Sequence, residues 1–480
     1  MSRAYYLTTT LPYVNADPHI GFALEIVQAD IIARYRALQG DEVFFNTGTD
    51  EHGLKIYRKA QEEGKDTQAY VDGFAARFKS LKEKLNLYPE LHFIRTTDPH
   101  HKAAAQEFWK RCAANGDIYK KTYKIKYCVG CELEKTDSEL VDGKCPLHPN
   151  LTIELIDEEN YFFRFSKYQQ PLMEMYAAHA DFVVPDFRFN EIREFVKRGL
   201  EDFSVSRLAT KMPWGIPVPD DSTQIMYVWF DALINYISTL GWPEDTANFE
   251  KFWGTVAAPN AVQMAGKDNL RQQSAMWQAM LLSAGLPPTR QIAIHGFITS
   301  GGAKMSKSLG NVIDPMAIID EYGADALRIY LARHIHPFED SDFTMEKFKE
   351  SYNADLANGL GNLAARILTL AQSNLPASIA PAHDPIPEEY TNALERYDYN
   401  AAADHIWSRI KALDGKLTLE KPFAVVKTDA EKGKALIAEC VAQLRTIARL
   451  LQPFMPATSD ALQNAIFANK KPENLFPRKE

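Results

Sequence analysis

A strand, a helix and a second strand follow one another within the first fifty residues, and this order is the feature that most constrains the fold. Residues Ala4–Thr9 are aromatic and β-branched, which predicts a buried strand. Apolar residues recur at helical spacing from Gly21 to Leu38, and Glu42–Asn46 has the composition of a second strand. Two strands joined by a helix lie parallel in one sheet, so we expect ligands at the carboxyl edge of that sheet.

The remainder of the 480 residues divides into segments of different character. Leu54–Gly116 is predicted to be mainly helical. A strand-like run at Ile225–Phe230 is expected to return the chain to the central sheet, and Gln291–Phe297 to add one more strand. From Ser351 onward strand signals nearly vanish, which predicts a helical bundle. The predicted segments are 1–116 and 225–350 as two halves of a Rossmann-like α/β domain, 117–224 as an inserted module, and 351–480 as the bundle.

Composition excludes several classes of protein. Apolar residues make up 46% of the chain and charged residues 24%, as in ordinary soluble globular proteins. The net charge of −9 produces no global field that would draw the chain to DNA or to a membrane surface. No apolar run reaches the roughly 18 residues of a membrane span, and the N-terminus lacks the apolar region of a signal peptide. We therefore expect a cytoplasmic enzyme that binds neither membranes nor DNA.

Three of the five cysteines indicate a metal site. Cys128 and Cys131 form one C-x-x-C pair, and Cys145 precedes His148 at the same spacing. This is the pattern of a zinc knuckle, in which three thiolates and one imidazole complete a closed tetrahedral site for structural Zn²⁺. The alternative is that the cysteines are reduced and bind no metal, but the polar module around them would fold poorly without a bound metal ion.

Residues 301–311, Gly-Gly-Ala-Lys-Met-Ser-Lys-Ser-Leu-Gly-Asn, combine two glycines with two lysines, and we call them the lysine loop. The glycines favour a mobile loop. Such a loop can close over a triphosphate and supply positive charge where pyrophosphate leaves. A solvated surface loop has the same composition, so a second element is needed to decide between these interpretations.

That second element lies far upstream, between the first predicted strand and its helix. Here His19-Ile20-Gly21-Phe22 occupies the place where a nucleotide phosphate meets backbone N–H groups and the positive end of a helix dipole. Gly21 has no side chain, so a flat base can lie against its backbone, and His19 can donate to phosphate oxygens. Together with the lysine loop, this element resembles the paired signatures of class I aminoacyl-tRNA synthetases.

Four further motifs narrow the resemblance to the methionyl-tRNA synthetase family. They are Leu11–Asn15, Gly48–Gly53, Tyr227–Tyr236 and Gly266–Asp268. The resemblance extends over most of the chain, including its helical C-terminal part. It implies a catalytic α/β domain, an inserted zinc module and a helical anticodon-binding bundle.

The reaction that this resemblance implies is ATP-dependent activation of an amino acid, methionine in this family, followed by transfer to tRNA. The amino-acid carboxylate would attack the α-phosphate of ATP and release pyrophosphate, and the aminoacyl group would then pass to the terminal ribose of the tRNA. Catalysis would depend on positioning and on charge stabilisation, with Mg²⁺ on the phosphates.

The resemblance also implies individual roles. His19, Lys304 and Lys307 would be the catalytic residues, because His19 would contact phosphate and the lysines would neutralise the departing phosphates. Asp50 would bind the α-ammonium group of the amino acid. The implied ATP-binding residues are His19, Gly21, Lys304, Ser306, Lys307 and Ser308. The implied amino-acid-binding residues are Leu11, Tyr13, Asp50, Trp229, Ala232, Tyr236, Asn269 and Gln273, for several of which core packing is the alternative.

The catalytic region departs from the family pattern at two places. Phe22 stands where the first signature normally ends in a second histidine, and a phenyl ring cannot donate to phosphate. Loss of one transition-state donor costs roughly 3–4 kcal/mol in other enzymes. Asn269, Gln272 and Gln273 make one wall of the pocket more polar. A buried amide needs a hydrogen-bond partner, and a thioether sulfur is a poor one.

A third departure lies in the helical bundle. Asn362 and Arg366 match family positions that contact the anticodon, whereas Phe423 stands where tryptophan is usual and would stack on a base with less surface. These three are the predicted tRNA-binding residues. The chain ends at Glu480 without the additional tRNA-binding dimerisation domain of many family members, so we expect a monomer.

Three functions therefore stay open. The intact lysine loop and Asp50 favour a methionine–tRNA ligase. Asn269, Gln272 and Gln273 favour a family paralogue that activates a different, more polar amino acid. Phe22 favours a catalytically impaired paralogue that binds tRNA or nucleotide.

Overall fold

The computed structural model describes residues 3–131, 133–135, 139–305, 311–376 and 385–479, and within them the side chains at 123–125, 133–134, 156–158 and 304 are not described. The chain divides into two compact units. The first unit comprises Met1–Pro18, Glu42–Ser80 and Glu90–Ile294, and the second unit comprises His19–Asp41, Leu81–Pro89 and His295–Glu480. The four segment boundaries given above remain a prediction.

The strands of the described residues lie mainly in the first three hundred positions. They are β1 (Ala4–Thr9), β2 (Glu42–Thr49), β3 (His92–Arg95), β4 (Ile118–Cys128), β5 (Leu133–Glu134), β6 (Glu154–Phe163), β7 (Val183–Val184), β8 (Phe203–Ser204), β9 (Ser206–Leu208), β10 (Pro217–Val218), β11 (Asp221–Met226), β12 (Ala261–Gly266), β13 (Gln291–His295), β14 (Ile298–Ser300), β15 (Ala303–Lys304) and β16 (Ser341–Asp342).

The α-helices occur throughout the chain. They are α1 (Ile20–Leu38), α2 (Leu54–Glu62), α3 (Thr67–Lys84), α4 (Pro99–Ala114), α5 (Gln169–Ala178), α6 (Asp186–Lys197), α7 (Val228–Ala232), α8 (Asn235–Ser238), α9 (Thr246–Phe252), α10 (Trp277–Ser283), α11 (Pro315–Tyr322), α12 (Ala324–Arg333), α13 (Met345–Ser351), α14 (Asn362–Asn374), α15 (Glu388–Glu395), α16 (Tyr399–Glu420), α17 (Pro422–Thr428), α18 (Ala430–Leu451) and α19 (Pro456–Phe467). Short 3-10 turns lie at Phe165–Tyr168 and Lys267–Asn269, and π-helical turns at Gln272–Met276 and Tyr352–Gly361.

A six-stranded sheet of order β3-β2-β1-β12-β13-β7 forms the centre of the first unit. β1 runs parallel to both β2 and β12, β2 to β3, and β13 to β7. Five of the six residues of β1 are buried, as expected for a central strand of a parallel sheet that is covered on both faces. The predicted Rossmann-like parallel sheet is confirmed.

The first β-α-β unit follows the sequence pattern closely. β1 has the predicted bounds, α1 begins one residue earlier at Ile20, and β2 continues beyond Asn46 to Thr49. The longer β2 brings the strand directly up to Asp50. The stretch Leu54–Gly116 is mainly helical, as predicted, but it also contributes β3 to the edge of the sheet.

The prediction that Ile225–Phe230 returns the chain to the central sheet is wrong. Asp221–Met226 forms β11, which pairs antiparallel with β9 and β10 in a separate sheet, and helix α7 follows. The return strand is instead β12, which is buried throughout. A short apolar and aromatic run does not distinguish a strand from a buried helix. Here the strand pattern ends at Tyr227, where the N–H of Phe230 turns back to the Tyr227 carbonyl.

The inserted module is built on a long antiparallel hairpin. β4 pairs with β6 from Ile118 opposite Phe163 to Tyr127 opposite Glu154, and β5 and β8 lie on the two edges. Cys128 is the last residue of β4. The hairpin therefore carries the cysteine-rich segment at its far end.

The second unit contains a buried ion pair among its helices. Arg328 of α12 has no solvent exposure, and its Nη2 lies 2.7 Å from Oδ2 of Asp30 on α1. The guanidinium also donates to the backbone oxygens of Pro453, Phe454 and Leu85. A buried charge is tolerated only when it is paired and hydrogen-bonded in this way.

The C-terminal part of the second unit is helical, as predicted. From Ser351 to the end of the described chain the regular elements are α-helices and one π-helical turn. α18 packs against α14, α16, α17 and α19, which is the arrangement of a bundle. Among the helices that the structure describes, none has the length and apolar character needed to cross a membrane.

Candidate active site

The first signature begins helix α1 of the second unit. His19 is the N-cap residue, and its Nδ1 accepts a hydrogen bond from the Gly21 N–H at 3.0 Å. Because Nδ1 is the acceptor, the ring proton of the neutral imidazole lies on Nε2, which is therefore a donor. Burial lowers the pKa of His19, so the ring is neutral at pH 7. The helix start thus presents a neutral imidazole with a defined N–H donor.

The lysine loop begins in a hairpin of the second unit. Gly301 and Gly302, with φ of 63° and 74°, form the turn between β14 and β15, a conformation that favours glycine. Oδ1 of Asp342 accepts from the Gly302 N–H at 2.9 Å and from the Thr299 hydroxyl at 3.0 Å. The two glycines therefore belong to a defined turn, where the composition had suggested an open loop.

The two signatures meet at the start of α1. A Cβ atom built on Gly21 would lie 3.9 Å from the methyl carbon of Met305, and the Ile20 N–H donates to the Ile313 carbonyl oxygen at 3.1 Å. Met305 before the centre of the lysine loop therefore lies close to the His19 segment, and Ile313 after the loop is hydrogen-bonded to it. Lys304 lies in β15 by its backbone, and Ser306, Lys307 and Ser308 lie outside the described residues.

In the first unit, the segments that follow β1 and β2 run side by side. The Asp50 N–H donates to the Pro12 carbonyl oxygen at 3.0 Å, and the Val14 N–H donates to the Asp50 carbonyl oxygen at 3.2 Å. Asp50 is 8% exposed. Tyr13 forms a parallel bridge with Asp50, and Leu11 precedes Tyr13 in the same segment. The residue predicted to bind the ammonium group is thus paired through its backbone with the segment that carries two predicted pocket residues.

The helical residues of the predicted pocket lie on two short consecutive helices. Trp229 and Ala232 are in α7, and Tyr236 is in α8. The hydroxyl of Tyr236 accepts a hydrogen bond from Nε2 of Gln273 at 2.6 Å. Gln273 is 1% exposed and lies in a π-helical turn, a feature that is frequent at functional sites. Its Oε1 is buried and has no hydrogen-bond partner among the described residues.

Asn269 ends the 3-10 turn that follows β12. It is half-buried, and its Nδ2 donates to Oδ1 of Asp268 at 3.4 Å. The structure therefore joins Asn269 to its neighbour in the same motif.

Two buried networks next to Asp50 are not predicted by the sequence patterns. Glu51 accepts two hydrogen bonds from Arg95, at 2.7 and 2.8 Å. Nδ1 of His52 lies 3.2 Å from Oδ2 of Asp231. A sequence signal exists only for the second network, since Asp231 lies within the apolar run 225–234 and a buried charge must be paired.

The four predicted metal ligands converge in the first unit. The ligand atoms of Cys128, Cys131, Cys145 and His148 all lie within 4.8 Å of one another. Sγ of Cys131 is 3.4 Å from Sγ of Cys145 and 3.2 Å from Nδ1 of His148. Thiolates in a tetrahedral site with Zn–S bonds of about 2.3 Å lie about 3.8 Å apart. The residues therefore form a Cys₃His group that could hold a metal ion of this size.

Gly130 makes room for the imidazole in this group. A Cβ atom built on Gly130 would lie 2.4 Å from Cγ and Cδ2 of His148, much closer than carbon atoms approach one another. A side chain at this position would displace the ring from the cysteines.

The predicted tRNA-binding residues lie in the helical bundle. Asn362 and Arg366 belong to α14, and Nη1 of Arg366 lies 2.6 Å from Oδ1 of Asp414 on α16. Both partners are substantially exposed, and exposed ion pairs are weak, so Arg366 can exchange Asp414 for a phosphate. Phe423 of α17 is 45% exposed, which leaves its ring accessible for stacking on a base.

Known proteins resemble this chain over nearly its full length. The family model described as tRNA synthetases class I (M) matches residues 5–152 and 150–368. A methionine–tRNA ligase of Thermosynechococcus vestitus is 43% identical over 96% of this chain and 90% of its own length. One of Thermotoga maritima is 38% identical over 98% of this chain and 76% of its own length. This chain belongs to the methionyl-tRNA synthetase family.

A solved structure agrees with this assignment. Mycobacterium tuberculosis methionyl-tRNA synthetase in complex with methionyl-adenylate superposes with a TM-score of 0.88 at 33% identity, over 100% of this chain and 99% of that chain. The resemblance inferred from the paired signatures is therefore confirmed, and the protein is a class I aminoacyl-tRNA synthetase of the methionyl-tRNA synthetase family.

Replacing Gly21 by alanine tests the role of the first signature. The added Cβ would lie 2.9 Å from Cε1 of His19, so the ring must move. We expect Gly21→Ala to slow ATP–pyrophosphate exchange by about a hundredfold, the cost of misplacing a reacting group by about 1 Å. The thermal midpoint should not fall, because alanine favours a helix over glycine. Gly415→Ala in α16, where a Cβ meets open space, is the control, and equal exchange rates would contradict the role of His19.

Replacing Gly130 by alanine tests the metal group. Because the new Cβ collides with His148, we expect Gly130→Ala to bind well below the roughly one zinc ion per chain of a closed four-ligand site. Bound zinc is measured by mass spectrometry of the purified, folded protein. Gly73→Ala, where a Cβ also meets open space, should retain full zinc content. Full content in both variants, or none in the parent, would refute the site.

Proposed function

We propose that this member of the methionyl-tRNA synthetase family activates methionine with ATP and transfers it to tRNA. The observation that best supports the proposal is the proximity of the two signatures: the Met305 methyl carbon lies 3.9 Å from where a Cβ on Gly21 would be, and the Ile20 N–H donates to the Ile313 carbonyl oxygen just after the lysine loop. The lysine loop carries positive charge, and Met305 within it and Ile313 just after it lie near the N-terminus of α1. This place suits an anionic ligand, because a helix N-terminus adds free backbone N–H groups and a favourable dipole.

His19 acts on the phosphates through its Nε2–H. A neutral donor of this kind stabilises charge that develops on an oxygen at the α-phosphate, without titrating near pH 7. Lys304 and Lys307 supply positive charge to the departing pyrophosphate, and Ser306 and Ser308 donate hydrogen bonds to the same group. Mg²⁺, when bound, neutralises further phosphate charge. The absence of a side chain at Gly21 allows the adenosine to approach the backbone.

Asp50 orients the amino acid by binding its α-ammonium group. With the ammonium fixed, the substrate carboxylate can attack the α-phosphate in line with the leaving pyrophosphate, and positioning of this kind supplies much of the rate. Leu11, Tyr13, Trp229 and Ala232 offer apolar surface to a thioether side chain, which suits methionine. Asn269, Tyr236 and Gln273 form the polar part of the same pocket.

A more polar amino acid is a second candidate substrate. Its support is the Gln273 amide, whose Nε2 is bonded to Tyr236 while its buried Oε1 has no partner among the residues that the structure describes. A substrate side chain with an N–H or O–H group would satisfy that oxygen, whereas the methionine sulfur cannot donate to it.

The remaining parts of the chain serve binding and stability. The helical bundle is proposed to bind the anticodon end of the tRNA through Asn362, Arg366 and Phe423. The Cys₃His group is proposed to hold structural Zn²⁺, because four protein ligands leave no open position for a substrate. We propose that the enzyme acts as a monomer in the cytoplasm.

ATP–pyrophosphate exchange with each of the twenty amino acids in turn tests the proposed reaction. We expect exchange with methionine alone. Exchange with a different amino acid and none with methionine would overturn the proposed substrate and favour the second candidate. No exchange with any amino acid, together with retained tRNA binding, would leave only a binding function for the chain.

Restoring a donor at Phe22 tests whether the departure in the first signature limits the rate. Phe22 lies in the first turn of α1, and its N–H donates to the His19 carbonyl oxygen at 3.0 Å. We expect Phe22→His to raise kcat of exchange by up to about a hundredfold, with little change in KM for the amino acid, because a transition-state donor acts on kcat. Phe22→Leu is the control without a donor. Equal kcat values for the two variants would mean that other groups already supply the charge stabilisation.

A further inference from the structure

Asp231 is a carboxylate without solvent exposure, held between two histidines in the first unit. Its Oδ2 lies 3.2 Å from Nδ1 of His52, and its Oδ1 lies 3.8 Å from Nε2 of His101. His52 is 2% exposed and His101 is fully buried. Nδ1 of His101 in turn lies 2.9 Å from Oγ of Ser238. The Asp231 carboxylate is thus the centre of a buried polar network that extends to His52 on one side and through His101 to Ser238 on the other.

The contacts of Asp231 with His52 and with His101 differ in strength. The 3.2 Å contact to His52 is within reach of a hydrogen bond, whereas 3.8 Å to His101 is too long for one. Oδ1 of Asp231 and Nε2 of His101 have no hydrogen-bond partner among the described residues. Asp231 is therefore joined to His52 by a hydrogen bond and lies beside His101 without one.

Three of the segments that this polar network joins, those of His52, Asp231 and Ser238, carry residues proposed to bind the amino acid. The segments are otherwise far apart in the sequence, since His52 and Asp231 are separated by 179 positions. The neighbours are Asp50 two residues before His52, Trp229 and Ala232 on the two sides of Asp231, and Tyr236 two residues before Ser238.

The energetics favour a geometric role for the carboxylate. Burial alone would raise the pKa of Asp231, but the interactions with His52 and His101 outweigh burial and lower it. A buried charge of this kind adds little stability compared with a well-packed apolar residue of the same volume. Charge-assisted hydrogen bonds are, however, short and directional. The arrangement therefore defines position more than it stabilises the fold.

We propose that Asp231 is a positioning residue of the amino-acid site. Through His52 it fixes the segment of Asp50 against α7, which carries Trp229 and Ala232, and through His101 it adds a weaker link to the helix of Tyr236. The carboxylate that binds the ammonium group and the wall that binds the side chain are thereby held at one separation. The inference rests on the proposed function, because it takes Asp50 and Tyr236 to contact the amino acid.

Asp231→Asn keeps the shape of the side chain and removes its charge. In ATP–pyrophosphate exchange we expect KM for the amino acid to rise at least about tenfold, the usual effect of losing a hydrogen bond to a charged group. KM for ATP should stay within about twofold, because the phosphates bind other residues. An increase in KM for the amino acid without an increase in KM for ATP distinguishes positioning of the amino acid from a general loss of structure.

Asp117→Asn is the matched control. Asp117 is equally buried in the first unit and accepts hydrogen bonds from Nζ of Lys167 at 2.7 Å and Oγ of Ser283 at 2.8 Å. It is bonded to no residue proposed to bind substrate among its described partners, which also include Tyr168 and Asn115. We expect Asp117→Asn to lower the thermal midpoint without changing KM for the amino acid.

A pair of variants at His52 keeps the test decisive if Asp231→Asn does not fold. His52→Asn places an amide N–H near the position of Nδ1 and should retain most of the affinity for the amino acid. His52→Leu has no donor and should reproduce the increase in KM expected for Asp231→Asn.

Three results would overturn the positioning role. They are an unchanged KM for the amino acid in the Asp231 and His52→Leu variants, equal increases in KM for ATP and amino acid, and an increase of the same size in Asp117→Asn. Failure of the parent protein to use methionine is a separate result that overturns the proposed substrate, and the same comparison is then made with the amino acid that does give exchange. No exchange with any amino acid would overturn both proposals.

Discussion

The parallel pairing of β1 with both β2 and β12 is the constraint on which the proposed amino-acid site depends. Parallel strands end at the same edge of a sheet, so the residues that follow them lie close together at that edge. Tyr13 follows β1, Asp50 follows β2, and Gln273 follows β12. The register of β1 on β12, from Tyr6 opposite Ala261 onward, sets how far each of these segments extends.

Buried charged side chains next to Asp50 are a second characteristic of the first unit. Glu51 with Arg95 and His52 with Asp231 both lie next to Asp50, where apolar packing alone would have been less costly. Apolar contacts tolerate small displacements, whereas a hydrogen bond to a charge does not. The proposed role of Asp50 in binding the ammonium group would gain from this stiffness, because misplacement of a reacting group by about 1 Å can remove much of the rate.

The phosphate-binding part relies on a local contact instead. The hydrogen bond from the Gly21 N–H to His19 fixes the imidazole tautomer within three residues of chain. Phe22 removes one side-chain donor from the same turn, but the backbone N–H groups and the helix dipole are independent of side-chain identity. The proposed phosphate binding at this turn therefore keeps its backbone donors, and the proposal assigns the further positive charge to Lys304 and Lys307.

Local sequence was sufficient for the first β-α-β unit and for grouping Cys128, Cys131, Cys145 and His148, because each depends on residue types and spacings within one stretch of chain. The two signatures are each local, and their pairing was recognised from the family pattern. It was not sufficient at Ile225–Phe230, where an apolar run fits a strand and a buried helix equally well. The Tyr227 N–H donates to the Val205 carbonyl oxygen, and that partner is close only in the folded chain. The contact of His52 with Asp231 likewise depends on how the segment after β2 packs against α7, which follows β11 of a separate sheet. Strand order follows from the packing of the whole core, and no short stretch of sequence encodes it.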